Sequence, residues 1–223
     1  MTIRQIIPLL FVVAMLTTGC NDTGKKVTKN EIKLSEKDNL TETSFKNGDI
    51  IFHISQSAQS KAIQLATKSE YTHCGIILKQ NDEYFVFEAI QPVKLTPLNK
   101  WIARGKNKHY VVKRLKNAGE ILNPEVLKMM QKIGKSFIGK DYDLTFEWND
   151  DKIYCSELIW KIYKRGADIE IGELEKLSDF DLTDKTVKAK MKERYGNNIP
   201  LNETVISPLS IFNSELLITI KQE

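Results

Sequence analysis

The sequence predicts an α+β domain in which a mostly antiparallel sheet packs against helices on one side. In the first half of the chain, short runs of β-branched and apolar residues separated by turn residues are typical of strands. In the second half, apolar residues recur at the spacing of an amphipathic helix. We expect the two kinds of element to enclose one core.

Residues 1–19 have the features of an export signal and not of a folded segment. Arg4 precedes an apolar run over residues 6–16, and small residues fill positions 17–19 directly before Cys20. This pattern is typical of lipoprotein processing, although an ordinary secretory signal that ends near a Cys is the alternative. We expect Cys20 to be lipidated and to hold the protein on a membrane of the bacterial cell envelope.

Residues 20–44 are polar and rich in Lys, Asn, Thr and Glu. Such a stretch cannot bury enough apolar surface to offset the entropy lost on ordering, so we predict a flexible tether that begins at the lipidated Cys. Residues 45–223 have the length of one ordinary domain.

The formal net charge of +4 is mild, and the Lys residues are spread along the chain without aromatic interleaving. This distribution argues against a nucleic-acid partner. The sequence contains no Cys or His spacing typical of zinc, no GxGxxG and no P-loop. We therefore expect no metal and no organic cofactor, and the pattern leaves the oligomeric state open.

The first half is predicted to hold four strands and one short helix. Asn81-Asp82 is a turn signal, which makes a hairpin of the strands on either side. Pro92 and Pro97 bracket a predicted loop that leads to Trp101. The strands are predicted over residues 50–54, 71–78, 83–90 and 109–115, and the helix over residues 57–67.

The second half is predicted to hold three helices and an apolar tail. Asn123 caps the first helix, Pro124 occupies its first turn, and Gly139 closes it. The second helix covers residues 154–164 and stops at Gly166, the third covers residues 183–195, and the tail over residues 205–220 returns to the core.

Cys155, at the start of the second of these helices, is the candidate nucleophile. The free N–H groups and the positive end of the helix dipole stabilise a thiolate there and can lower the pKa of a thiol to ~3.5–7.5. The same N–H groups can hold the oxyanion that forms when a thiolate attacks an acyl carbon. The alternative is that Cys155 is a small apolar core residue.

His73 is the best candidate for the base that such a nucleophile needs. It lies within a predicted strand, two residues before Gly75, which permits close approach of another backbone. His53 stands among bulky apolar residues, and His109 follows lysines and looks exposed. A strand histidine can also be a satisfied core or edge residue.

Glu88 is the candidate group that orients the base. It is a carboxylate within an otherwise apolar strand, and a hairpin that turns at residues 81 and 82 can place it beside His73 on one face of the sheet. A catalytic histidine needs such a partner to fix its tautomer.

Three further residues have two open interpretations. Cys74 alternates with His73, so it faces the opposite side and is predicted to be core; a disulfide with Cys155 would remove the nucleophile, and this facing disfavours it. Glu157 is either a substrate contact or a helix-start carboxylate favoured by the dipole. Tyr142 either lines a site or forms a turn.

Five motifs, taken in chain order, resemble the YiiX-like family, a circularly permuted branch of the NlpC-type papain-like hydrolases. A sixth segment, residues 205–214, resembles the closing segment of that family. The motifs are Gly-Asp-Ile-Ile-Phe at 48–52, Tyr-Thr-His-Cys-Gly-Ile at 71–76, Phe-Glu-Ala at 87–89, Gly-Lys-Asp-Tyr-Asp at 139–143 and Tyr-Cys-Ser-Glu-Leu at 154–158.

The resemblance implies a circularly permuted papain-like fold in which the histidine strand precedes the nucleophile helix. It implies that Cys155 is the nucleophile, His73 the general base and Glu88 the orienting group. It also implies that the hydroxyls of Ser69, Tyr71 and Tyr142 line the substrate pocket. Residues 168–200 look like an insertion and receive no role.

Export and this resemblance together predict a cysteine hydrolase that cleaves an amide bond of the cell wall, in the stem peptides of peptidoglycan, through a thioester. The first alternative is a lipid acyl hydrolase or acyltransferase, since relatives in the same superfamily act on lipids. The second alternative is a non-catalytic module that binds cell-wall peptides.

Overall fold

The structure, a computed structural model, describes residues 45–223. The export signal, the lipidated Cys20 and the tether predicted for residues 1–44 lie outside the described residues. Eight strands occur in the described part of the chain. In chain order they are β1 (Ile50–Ser55), β2 (His73–Gln80), β3 (Glu83–Glu88), β4 (Lys94–Pro97), β5 (Gly105–Leu115), β6 (Glu175–Lys176), β7 (Thr204–Val205) and β8 (Leu217–Gln222).

Six of these strands form one sheet in the order β4-β3-β2-β1-β5-β8, while β6 pairs with β7 separately. Every neighbouring pair in the large sheet is antiparallel. Strand β2 is therefore flanked by β1 and β3, so the residues at its start have backbone on both sides.

Seven α-helices accompany the strands within residues 45–223. In this same range, no helix combines the length and the apolar character needed to cross a membrane. The helices are α1 (Ser60–Thr67), α2 (Leu98–Arg104), α3 (Ala118–Ile121), α4 (Pro124–Lys135), α5 (Cys155–Ala167), α6 (Lys185–Tyr195) and α7 (Pro208–Phe212).

The main core lies between one face of the large sheet and helices α4 and α5. Ile50, Phe52 and Ile76 contribute from the sheet, and Leu158 and Ile159 contribute from α5, each at most 3% exposed. Because strand side chains alternate between the two faces, the residues next to these point the other way. Burial of each large apolar side chain stabilises the fold by ~1.5–3 kcal/mol.

A smaller core covers the opposite face of the sheet beneath α2. Ile51, Ile77, Val86 and Val112 cluster there with Trp101, whose side chain is fully buried. The α+β class is confirmed, but one helix lies on the face that was expected to carry none. The prediction of a loop leading to Trp101 is wrong, because this stretch contains β4 and α2. These elements have four and seven residues, which is too few for a periodic pattern of apolar residues in the sequence.

Helices α4 and α5 pack closely because Gly166 carries no side chain. A Cβ at Gly166 would lie 2.6 Å from Cγ of Met130 in α4. Gly166 was predicted to end its helix, but α5 continues through it to Ala167 and is capped by Asp168 in the left-handed conformation. The gap that Gly166 leaves is used for helix packing and not for termination.

The hairpin of β2 and β3 sets the positions of the predicted base and its orienting carboxylate. Asn81 and Asp82 both have positive φ, 48° and 64°, as a two-residue type I′ turn requires. The register pairs Ile76 with Phe87. The next residue, Glu88, is therefore a diagonal neighbour of His73 on one face of the sheet.

Gly75 allows β2 and β3 to approach at this point. A Cβ on Gly75 would lie 2.3 Å from Cγ1 of Val86, 2.9 Å from the carbonyl oxygen of Phe87 and 3.4 Å from Cβ of Glu88. The sequence prediction that Gly75 serves a close backbone approach is confirmed.

We expect Gly75→Ala to lower the free energy of unfolding by about 1–3 kcal/mol, because the added methyl group overpacks the strand pair. Urea denaturation measures this change. Gly119→Ala is the matched control, since a Cβ at Gly119 would meet nothing within 4 Å, and its effect should stay below ~1 kcal/mol. Equal unfolding midpoints for wild type and Gly75→Ala would contradict this account.

Candidate active site

Cys155 is the first residue of α5 and is 3% exposed at the edge of the main core. The side chain of Glu157 accepts a hydrogen bond from the N–H of Tyr154 at 3.4 Å, which caps the helix start. The hydroxyl of Tyr154 accepts from the N–H of Ile206 at 3.0 Å, and Ser156 donates to the carbonyl oxygen of Ile206 at 2.7 Å. The predicted nucleophile therefore lies at a helix start that is held by a contact between Tyr154 and Glu157 and by hydrogen bonds to Ile206.

His73 and Glu88 form a buried pair. Nε2 of His73 lies 2.6 Å from Oε2 of Glu88, and the two side chains are 10% and 0% exposed. This contact leaves Nδ1 as the ring nitrogen available to the thiol of Cys155. The carboxylate thereby fixes both the orientation of the ring and the nitrogen that faces the nucleophile.

Two further donors surround the carboxylate of Glu88, and sequence reasoning missed both. The hydroxyl of Thr96 donates to Oε1 at 2.5 Å, and Nη2 of Arg104 donates to Oε1 and Oε2 at 2.6 and 2.7 Å. Burial raises the pKa of Glu88, but the hydrogen bonds from His73 and Thr96 and the charges of His73 and Arg104 outweigh it and lower that pKa to about 2. Thr96 and Arg104 belong to β4 and α2, which the sequence pattern did not reveal.

The pKa values of Cys155 and His73 are both shifted in the direction that favours the charged side chain. Burial lowers the pKa of His73, but hydrogen bonds to Cys155 and Glu88 and the negative charges of both raise it to about 9. A hydrogen bond from Cys74 lowers the pKa of Cys155 well below its usual range against the effect of burial, and the charge of His73 lowers it further. The favoured state is therefore a thiolate–imidazolium ion pair.

Cys74 contacts the nucleophile, which the sequence did not predict. As expected, it is fully buried in the main core on the face opposite the ring of His73. Helix α5 packs on that same face. Side chains alternate along β2, so Cys74 points away from the ring of His73 and its thiol contacts Cys155 at the start of α5. Both residues are free thiols in the structure.

His53 lies next to the site but is not placed to act as the base. Its ring stacks on Trp101 with centroids 3.9 Å apart and lies 5.3 Å from the ring of His73. Burial, followed by the positive charges of His73 and Arg104, lowers the pKa of His53 to about 2. A neutral ring at this position packs against His73 without competing for its proton.

Two cavities meet at the catalytic residues. Cys155 lines a cavity whose exposed walls are almost wholly apolar. His73 lines a larger cleft, and most of the residues around this cleft are polar or charged. Thr72 and Tyr142 line both spaces. The nucleophile and its base thus stand at the boundary between an apolar and a polar compartment.

Residues 168–200, which received no role from the sequence, supply much of the apolar wall. Helix α6 lies against α1, and together with the turn before it they close the cavity over Cys155. The side chains that this segment contributes are Leu177, Phe180, Leu182, Val187, Lys190 and Met191.

Of the four predicted pocket residues, the structure brings only Tyr142 to the cavities. Tyr71 is instead buried between Phe52 and Phe212, and the hydroxyl of Ser69 accepts from the N–H of Tyr71 at 3.1 Å in a turn. Neither Ser69 nor Tyr71 lines the two cavities, so a substrate contact by either residue stays a prediction.

Glu157, the other predicted substrate contact, lines neither cavity and contacts its own helix instead. It is fully buried, and its Oε1 lies 2.6 Å from Nζ of Lys161 one turn further along α5. Burial raises the pKa of Glu157 to about 8, although the contact with Lys161 opposes the rise. The hydrogen bond from the N–H of Tyr154 places Glu157 in the helix-start role that the sequence left open.

Comparison with known proteins agrees with this arrangement. Residues 44–220 match the family model described as "Permuted papain-like amidase enzyme, YaeF/YiiX, C92 family". The chain is 48% identical over 176 residues to the uncharacterized protein YiiX of Escherichia coli K12, an alignment that covers 79% of this chain and 86% of that protein. The crystal structure of YiiX from Escherichia coli O157:H7 superposes with a TM-score of 0.76 at 49% identity, over 80% of this chain and 97% of that one.

That crystal structure is described as a metalloprotein. In residues 45–223 of the present chain, no group of three His, Cys, Asp or Glu side chains is placed to hold a metal ion. The carboxylate of Glu88 already lies against the guanidinium of Arg104, so Cys155, His73 and Glu88 do not fit a metal site.

The thiol, the imidazole and the carboxylate occur in the permuted order, with the histidine strand first and the nucleophile helix later. The chain belongs to the YaeF/YiiX, C92 family of permuted papain-like amidase enzymes.

Proposed function

We propose that this amidase cleaves an amide whose acyl part is a long apolar chain. One observation carries the proposal: Cys155 borders a cavity whose exposed walls are almost wholly apolar. A peptide in this cavity would lose the hydrogen bonds of its amide groups to water without replacement, at a cost of roughly 1–3 kcal/mol per group. An alkyl chain has no such groups and gains about 0.8 kcal/mol per buried CH₂.

The acylation step follows from the ion pair. The thiolate of Cys155 attacks the carbonyl carbon, and the carbonyl oxygen takes up the negative charge next to the N–H groups at the start of α5. His73 then gives its proton to the leaving nitrogen as the C–N bond breaks. The amine departs through the polar cleft, and the acyl group stays on the sulfur as a thioester.

Hydrolysis of the thioester reverses the roles. His73, now neutral, takes a proton from a water molecule in the polar cleft, and the resulting hydroxide attacks the thioester carbon. The acid leaves the apolar cavity, and the thiolate and the imidazolium are restored. Glu88 acts in both steps by holding the ring of His73 and stabilising its positive charge.

The polar cleft supports a second candidate substrate, an amide in the stem peptides of peptidoglycan. Lys152, Lys190 and Arg194 line this cleft with only Glu193 to offset their charge, and stem peptides carry carboxylates. We propose a location in the cell envelope for either substrate, supported by the export signal and by Cys20 in the sequence.

We expect kcat/KM for fluorogenic N-acyl amides to rise from acetyl through octanoyl to palmitoyl. Each buried CH₂ contributes up to ~0.8 kcal/mol, or about a fourfold increase. Cys155→Ala should lower kcat/KM at least ~1,000-fold. Faster cleavage of purified muropeptides than of any acyl amide would favour the second candidate. Absence of turnover, together with a Cys155 thiol that titrates near ~8.5, would favour a binding module.

We expect Ala66→Phe to reduce kcat/KM for the palmitoyl amide at least ~10-fold, because the ring occupies the space of several CH₂ groups. Ala66 lines the apolar cavity. The acetyl amide should be cleaved at the wild-type rate. Ala189→Phe, at an exposed position of α6, is the matched control and should leave both rates unchanged. Equal losses for both substrates in Ala66→Phe would contradict an acyl cavity.

We expect kcat/KM to fall on the alkaline side as His73 loses its proton at a pKa of about 9. Glu88→Gln removes a negative charge that raises this pKa, so the alkaline limb should move to lower pH by about one to three units. The amide can still accept from Arg104, which limits structural damage. Glu83→Gln, at the exposed start of β3, is the control. An unmoved alkaline limb in Glu88→Gln would contradict this role.

A further inference from the structure

A chain of two hydrogen bonds runs from α6 to the hydroxyl of Tyr142. Nη2 of Arg194 donates to Oε1 of Gln59 at 2.5 Å. Nε2 of Gln59 donates to the hydroxyl oxygen of Tyr142 at 3.0 Å. Gln59 immediately precedes α1, and all three side chains are half-buried. The chain therefore joins the segment that covers the apolar cavity to a side chain that lines it.

The direction of these bonds is fixed by their chemistry. A guanidinium has donors only, so the oxygen of the Gln59 amide must face Arg194. The NH₂ group then faces Tyr142, whose oxygen acts as the acceptor. Consequently the proton of the Tyr142 hydroxyl points away from Gln59 and remains available to another acceptor.

That proton lies close to the reacting centre. Tyr142 and Cys155 line the same apolar cavity. Burial and the negative charge of Cys155 raise the pKa of Tyr142 well above its usual range, which keeps the phenol protonated. The backbone at Tyr142 is anchored as well, because its N–H donates to Oε1 of Gln91 at 2.7 Å.

We infer that Gln59 and Arg194 are positioning residues that hold the Tyr142 hydroxyl proton toward the oxyanion formed when Cys155 attacks a carbonyl carbon. This inference rests on the proposed thiol chemistry but not on the identity of the acyl group. It gives α6 a second function besides closing the cavity. Arg194 is itself held over the ring of Phe146, with 5.0 Å between the guanidinium carbon and the ring centroid.

The test compares two reactions of the same sulfur in the full chain. A 4-nitrophenyl ester of octanoic acid acylates Cys155 through an oxyanion and releases 4-nitrophenolate, which needs no proton from His73. Iodoacetamide alkylates the same thiolate by direct displacement of iodide, without an oxyanion. Stopped-flow burst rates give the first reaction, and mass spectrometry of the alkylated protein gives the second.

Gln59→Glu is the sharpest variant, because the introduced carboxylate still accepts from Arg194 but has no donor. The Tyr142 proton must then turn toward the carboxylate and leave the oxyanion. We expect the acylation rate to fall roughly 100-fold, as on loss of one oxyanion donor, while the alkylation rate at a pH above the thiol pKa stays within about twofold. Arg194→Ala should give a smaller loss, and Arg194→Lys should restore most of it because an ammonium also only donates.

Two controls separate positioning from structure. Gln64→Glu makes the same change on α1 away from both cavities and should alter neither rate. In a Tyr142→Phe background, Gln59→Glu should cause no further loss of acylation, since the proton it redirects is already absent. Parallel losses of alkylation and acylation in Gln59→Glu, or additive losses in the double variant, would overturn the inference. Failure of the wild type to become acylated would overturn the proposed function first.

Discussion

The arrangement of the site depends on burying one carboxylate. Glu88 has no exposed surface, and a charge in that position is strongly destabilising unless donors surround it. The donors come from three elements: His73 from β2, Thr96 from β4 and Arg104 from α2. The hairpin, the short fourth strand and the helix that follows must therefore all be formed before the charge is satisfied. Once satisfied, it keeps a proton on His73 and so maintains the thiolate of Cys155.

The same pair stands at the boundary between an apolar cavity and a polar cleft. Under the proposed function, this position would let one site hold an apolar acyl chain on one side and a polar amine on the other. The apolar side excludes water and strengthens the ion pair. In the proposed reaction, the polar side would admit the water that completes hydrolysis and let a polar amine leave. Tyr142 borders both spaces, which agrees with the inferred role of its hydroxyl at the oxyanion.

The sequence predicted the parts of this site that depend on local pattern. A turn at Asn81-Asp82 is enough to bring His73 and Glu88 together, and a helix start is enough to mark Cys155. Arg104 and Cys74 could not be found in this way, because their positions depend on how α2 and α5 cover opposite faces of the sheet. Gly166 shows the same limit, since a glycine that ends a helix and one that admits a neighbouring helix look alike in sequence. The relatives established the permuted fold, which no local pattern specifies.

The proposed reactive groups and much of the cavity wall lie in different parts of the chain, which has a consequence for how such proteins diverge. The groups proposed to break the bond come from β2, β3 and the start of α5, whereas half of the residues that line the apolar cavity follow position 176. Exchange of bulky for small side chains in that later stretch could retune chain-length preference while the reactive groups stay intact. Arg194 limits this freedom: it lies on α6, which also supplies part of the apolar wall, yet through Gln59 it reaches Tyr142. Substitutions around Arg194 can change which acyl chains fit, whereas substitution of Arg194 itself would lower the rate of acylation.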